Sequence, residues 1–127
     1  MPDLPPLKGD LQLQVMATMW RLGSGTVEDV RRALPPRYRG AYTTVQTVLN
    51  RLAERRLLDR RKKGIVIVYW AAISEAEYLF RTIERALSGA SLDARRTALA
   101  ELIGTLEPGE LEDLRRRARQ LARKRRR

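Results

Sequence analysis

The run Ile65-Val66-Ile67-Val68-Tyr69-Trp70 sets the folding problem for this chain. All six residues are β-branched or aromatic, the composition of a strand. A strand needs a partner, and Leu58-Asp59-Arg60-Arg61-Lys62 supplies the other arm of a hairpin, with Lys63-Gly64 as its turn. Elsewhere the apolar residues recur at the 3.6-residue spacing of helices. The expected fold is therefore mostly α with a small β-wing.

Three helical segments precede the hairpin. In the first, Asp10 is placed to cap a helix ending near Leu22, with Leu11, Val15, Met16, Met19 and Trp20 as its apolar stripe and Gly23 as the stop. A large aromatic on such a stripe reads as core rather than as a base-stacking group. Thr26 opens a second helix, with Asp29 three residues on as in a capping box. Val27, Val30 and Leu34 form its buried side and Pro35-Pro36 ends it. The connection Arg37-Tyr38-Arg39-Gly40 reads either as a phosphate contact or as a solvated loop.

The third helix, about residues 41–56, is the most informative. Val45, Val48, Leu49 and Leu52 define one narrow buried stripe. The opposite side presents Thr43, Gln46, Thr47, Asn50 and Glu54, flanked by Thr44 and Arg51. A merely solvated face would be rich in Lys and Glu, whereas Thr and Asn are poorer helix formers. Their amides, hydroxyls and methyls do suit base edges in a major groove. Two short helices, a longer one and a hairpin with four consecutive cations at its tip, Arg60, Arg61, Lys62 and Lys63, make a winged helix-turn-helix. The third helix, with Tyr42 at its start, would read sequence while the wing grips the backbone.

Three amphipathic helices follow. Ser74 and Glu77 form a capping box ahead of Ala76, Leu79, Phe80, Ile83 and Leu87. A helix from about Ser91 is expected to bury Leu92, Leu99, Leu102 and Ile103 and to stop at Gly104. Pro108 starts the last, with Leu111, Leu114, Ala118 and Leu121. A winged helix of about 70 residues satisfies its own core, so these surplus apolar faces are expected to meet a second copy. The organisation read from the sequence is a DNA-binding domain over 7–73, a helical dimerisation module over 74–122 and a basic tail over 123–127. The dimerisation residues would be Leu79, Phe80, Ile83, Leu87, Leu99, Leu102, Ile103, Leu111 and Leu114.

Charge supports a polyanionic partner and shows where it would bind. The net charge of +11 divides into +7 over residues 1–73, −5 over 74–114 and +9 over 115–127. The chain has no cysteine and no histidine. That removes disulfides, thiolate metal sites, the cysteine nucleophile and the usual general base. With no paired-carboxylate, phosphate-loop or nucleophile-elbow pattern either, an enzyme is not expected, and neither is a metal or another cofactor. No apolar run approaches the roughly 20 residues needed to span a bilayer. Met1-Pro2-Asp3-Leu4-Pro5-Pro6 reads as a loose arm rather than a signal peptide. Membrane association is thus not expected, and the cytoplasm is the expected compartment.

Taken in order, these residues resemble the penicillinase and methicillin-resistance repressor family (BlaI/MecI type). The resemblance rests on Gly9-Asp10-Leu11 leading to Val15-Met16 and Trp20, on Thr26-Val27 with Val30 and Ala33-Leu34, and on Ala41-Tyr42-Thr43-Thr44-Val45 followed by Thr47, Leu49, Arg51 and Leu52. Val68-Tyr69 and Leu106-x-Pro108-x-Glu110-Leu111 complete it, over about residues 7–121. It implies a bacterial homodimer that blocks transcription from inverted-repeat operators, often with TACA/TGTA-like half-sites. By position Thr43, Thr44, Gln46, Thr47 and Arg51 would face the operator and Arg60 to Lys63 would lie in the wing. Members that control β-lactam resistance are cut by a sensor-protease at an Asn-Phe bond, and Ser88–Arg96 contains neither residue. Copper-responsive members bind metal through C-terminal cysteines, which this chain lacks. The resemblance therefore carries DNA binding over but leaves the upstream sensor unknown. The competing readings are a small-molecule-sensing winged-helix regulator and a non-specific nucleoid or RNA-associated protein. The second would not need the Thr/Gln/Asn face.

Overall fold

The computed structural model describes residues 9–126. The loose arm expected over Met1–Pro6 lies outside the described residues, as does Arg127. The order of elements is α1 (Gly9–Leu22), β1 (Ser24–Gly25), α2 (Val27–Ala33), a 3₁₀ turn (Pro36–Tyr38), α3 (Tyr42–Glu54), β2 (Leu58–Lys63), β3 (Val66–Ala71), α4 (Glu75–Ser88), α5 (Leu92–Gly104) and α6 (Pro108–Arg125). The fold is the expected winged helix followed by helices. By internal contacts the chain divides after Arg85 into two compact units.

In the first unit, α1, α2 and α3 close on a single core. Val15, Met16 and Met19 meet Val27, Val30 and Leu34, and all four stripe residues of α3 are buried with them. Helix α1 begins at Gly9, so Asp10 lies in its first turn rather than at the cap. There its charge still favours the positive end of the helix dipole. The stop is as expected: Gly23 has φ +83° and donates to Met19 O at 2.8 Å. Trp20 is half-buried against the core. Its indole Nε1 donates to Ile73 O at 2.9 Å and its ring lies 5.7 Å from that of Tyr78.

Helix α2 carries both bonds of its capping box. Asp29 N donates to Thr26 Oγ1 at 3.2 Å and Thr26 N donates to Asp29 Oδ2 at 3.0 Å. Its other end is closed by arginines. Arg21 donates to Ala33 O, and Arg39 donates to Arg32 O and Leu34 O, each at 2.9–3.0 Å. In the connection after α2, Arg39 thus caps helix carbonyls, a role that neither of the two readings of that segment named.

The sheet has three strands in the order β1-β3-β2, all antiparallel. The two-residue β1, which the sequence did not announce, pairs Ser24 with Trp70 and Gly25 with Tyr69. Between β2 and β3 the register runs from Leu58 opposite Ala71 to Lys63 opposite Val66. Gly64-Ile65 is therefore the two-residue turn, one position later than expected, and Ile65 belongs to the turn rather than to the strand. Gly64 has φ +62°, the conformation the first turn position requires.

Helix α4 docks by an unexpected edge. Ser74 Oγ accepts from Glu77 N at 3.1 Å as foreseen, but the Glu77 carboxylate is held by Arg81 at 2.8 Å. The residue α4 buries is Tyr78, roughly 160° around the helix from the centre of the apolar stripe. Leu79, Phe80 and Ile83 are exposed and Leu87 is half-buried. The second unit buries no residue fully in α5 or α6. The expectation that α5 buries Leu92, Leu99, Leu102 and Ile103 therefore fails within one chain: Leu99 is half-buried and the other three are exposed, Leu102 by 53%. Two short helices enclose too little volume to cover both of their apolar faces. Helix α6 begins at Pro108 as expected and continues through Arg125, so the basic segment is helical well past Ala122. No described helix is long and apolar enough to cross a membrane.

Candidate nucleic-acid interface

The outward face of α3 is centred on Thr43, Thr44, Thr47 and Arg51, all exposed. The buried stripe presses the helix onto α1 and α2, so the opposite arc must point away from the core. Thr47 Oγ1 donates to Thr43 O at 2.9 Å, within its own helix. That bond fixes the side-chain rotamer, leaves the hydroxyl lone pairs free to accept, and turns the methyl outward. Such a side chain meets either a base amino group or a thymine methyl.

Gln46 and Asn50 stand differently from those four. Both are half-buried on the side of α3 that faces the wing. Asn50 Oδ1 accepts from Arg60 Nη1 at 2.8 Å and from Tyr69 Oη at 2.6 Å. Arg60 and Tyr69 are direct partners across the β2–β3 ladder, so one amide oxygen ties α3 to both strands. Asn50, expected among the base-facing residues, is therefore committed through its oxygen to holding the helix against the wing. A bidentate contact to adenine needs that oxygen as well as the amide nitrogen. Arg60 is likewise drawn from the wing's row of cations into this clamp. Burial raises the pKa of Tyr69 above its ordinary 10.0; the Arg60 charge partly opposes the shift and Tyr42 adds to it. The hydroxyl thus remains a donor at neutral pH.

Gln46 lines a cleft of about 180 Å³ between the start of α2, α3 and the wing. Tyr42 joins it from the helix, and Ile65, Val66 and Ile67 line the other wall.

Cations complete the surface. Arg61, Lys62 and Lys63 are exposed on β2, and Arg51 is exposed on α3. None of the four has an ion-pair partner among the described residues, whereas Arg31 and Arg32 share Glu28 at 3.2 Å. Unpaired cations thus stand on both the wing and α3, an arrangement suited to phosphates on either side of a groove. The apolar tip of the wing escaped the sequence reading. Ile65 is 98% exposed, with Val66 and Ile67 exposed beside it. Its signal was in the register: moving the turn by one position takes Ile65 from a strand to the apex.

The similarities to known proteins agree with this geometry. A solved structure of the DNA binding domain of the repressor BlaI superposes with a TM-score of 0.52 at 32% identity, over 61% of this chain and 94% of that one. A penicillinase repressor of Bacillus licheniformis is 32% identical over 74 residues, 58% of either protein. The transcriptional regulator BlaI of Mycobacterium tuberculosis is 34% identical over 110 residues, 85% of this chain and 80% of that protein. The penicillinase repressor family model matches residues 8–120, nearly the whole of the chain, and the chain belongs to that family.

Proposed function

We propose that this protein is a DNA-binding transcriptional repressor that acts as a homodimer on an inverted-repeat operator and catalyses no reaction. The observation that carries the reading is the outward face of α3, where Thr43, Thr44, Thr47 and Arg51 stand exposed between a rigid core and a cationic wing. Family membership supports it. In this reading α3 lies in the major groove, Thr47 and Gln46 contact base edges, and Arg51, Arg61, Lys62 and Lys63 contact phosphates. The exposed apolar stripe of α4, with Leu79, Phe80 and Ile83, and the apolar residues of α5 and α6 pair with those of a second copy. Such a repressor works where the chromosome lies, in the bacterial cytoplasm.

The test is the binding of variants to a duplex enriched from a random pool and to a scrambled duplex of equal length. Thr47→Ala and Gln46→Ala are expected to cost about 1–3 kcal/mol on the enriched duplex and little on the scrambled one. Arg61→Ala is expected to weaken both and to lower the salt slope by about 1. Equal losses on the two duplexes for Thr47→Ala and Gln46→Ala would contradict base reading by α3.

A further inference from the structure

Ile65 is an expensive residue where it stands. It occupies the second position of a two-residue turn, where a β-branched side chain has no packing to gain, and it is 98% exposed. A turn needs no apolar group there, and Asn, Asp, Ser or Gly would serve it better. The neighbours on the two arms extend the feature: Val66 and Ile67 are exposed on one side, Lys62 and Lys63 on the other. The apex of the wing is thus an apolar point with two cations on one arm.

We propose that Ile65 is an apolar wedge that enters the minor groove next to the major-groove site of α3 and locally opens a base step, while Lys62 and Lys63 bind the phosphates on either side. The proposal rests on the operator reading above. Charge complementarity selects DNA as the occupant, because Lys62 and Lys63, successive on β2 and so on opposite faces of the hairpin, would repel a basic surface and suit two phosphate rows flanking a groove. The apex stands beside α3: Ile65 lines the same cleft as Tyr42 and Gln46, so a duplex seated on α3 would meet it. Isoleucine is among the side chains that partially unstack base steps when inserted there, and the cost of unstacking is lowest at flexible pyrimidine–purine steps. The wedge would therefore give the protein a sequence preference outside the base pairs that α3 touches.

The experiment compares wild type with Ile65→Ser and Ile65→Leu on the duplex enriched from a random pool, with 2-aminopurine substituted at successive flanking positions. Wild type and Ile65→Leu are expected to raise the fluorescence at one flanking step in each half-site. Ile65→Ser is expected to lose that rise and to bind about tenfold more weakly, the effect of leaving one aliphatic side chain unburied. Thermal melting of the free protein is expected to be the same for all three, since the side chain is 98% exposed. If Ile65→Ser binds and unstacks as wild type does, the wedge is refuted while the operator reading stands. If wild type enriches no sequence from the pool, the operator reading falls and the wedge falls with it.

Discussion

Asn50 changes role between sequence and structure, and the reason is distance along the chain. Its partners Arg60 and Tyr69 lie 10 and 19 residues away, on strands whose register is set only once the hairpin forms. Helical periodicity correctly places Asn50 on the polar side of α3 but is blind to what folds over it. By contrast, Thr26 and Asp29 are three residues apart, and their capping box was legible because both partners share one turn. The clamp makes a prediction. Asn50→Leu leaves the Tyr69 hydroxyl without its acceptor in a buried position and is expected to cost about 1–3 kcal/mol in urea unfolding. Asn50→Asp preserves the acceptor for both donors and is expected to stay within about 1 kcal/mol of wild type. A Leu variant as stable as wild type would show that the clamp contributes nothing. The same clamp has a pH limit. Because burial raises the pKa of Tyr69, its contribution is fully present below pH 10.0 and is lost as the pH climbs through the raised value.

Among the elements, α3 ends in a way its sequence conceals. The helix stops at Glu54, and Arg56 adopts φ +66°. Arg56 N donates to Ala53 O and Leu57 N donates to Leu52 O, each at 3.0 Å, which closes the helix as a Schellman motif with Leu57 buried behind it. Glycine usually fills that left-handed position, and its absence extended the helix read from sequence to Arg56. Arg56→Gly is expected to stabilise the protein by about 0.5–1 kcal/mol, relief of the left-handed strain outweighing the freer unfolded chain. A lower urea midpoint for this variant would contradict the motif. Helix α4 shows the opposite limit of pattern reading. Its strong apolar stripe marks the surface that the chain itself leaves open, whereas the docking edge is a lone Tyr78 among polar neighbours. Periodicity finds apolar faces; it does not say which of them the same chain covers. The two-residue β1 was invisible for another reason: Ser24-Gly25 has no strand propensity and is a strand only because β3 lies beside it.

At the scale of the molecule, the fold class and the helix-and-wing order were legible. Both rest on local patterns repeated over many residues. The arrangement of charge needed the structure. Composition gives +11, but Arg21, Arg31, Arg32 and Arg39 are engaged within the protein, as are Arg115, Arg116 and Arg117 with Glu112 and Asp113. The hydrogen bonds from Arg116 and Arg117 hold the Asp113 carboxyl below its usual range. Arg51 on α3 and Arg61, Lys62 and Lys63 on the wing are exposed and have no ion-pair partner among the described residues. In the proposed homodimer the exposed apolar residues of α4 and those of α5 and α6 would meet a second copy, and a two-fold protein calls for a two-fold site. The most direct test of this account is selection of bound duplexes from a random pool at near-physiological salt. The account predicts an enriched motif of two inverted half-sites, preferred over random DNA by about a thousandfold or more. A pool that shows no enrichment, or a single half-site without its inverted mate, would contradict it.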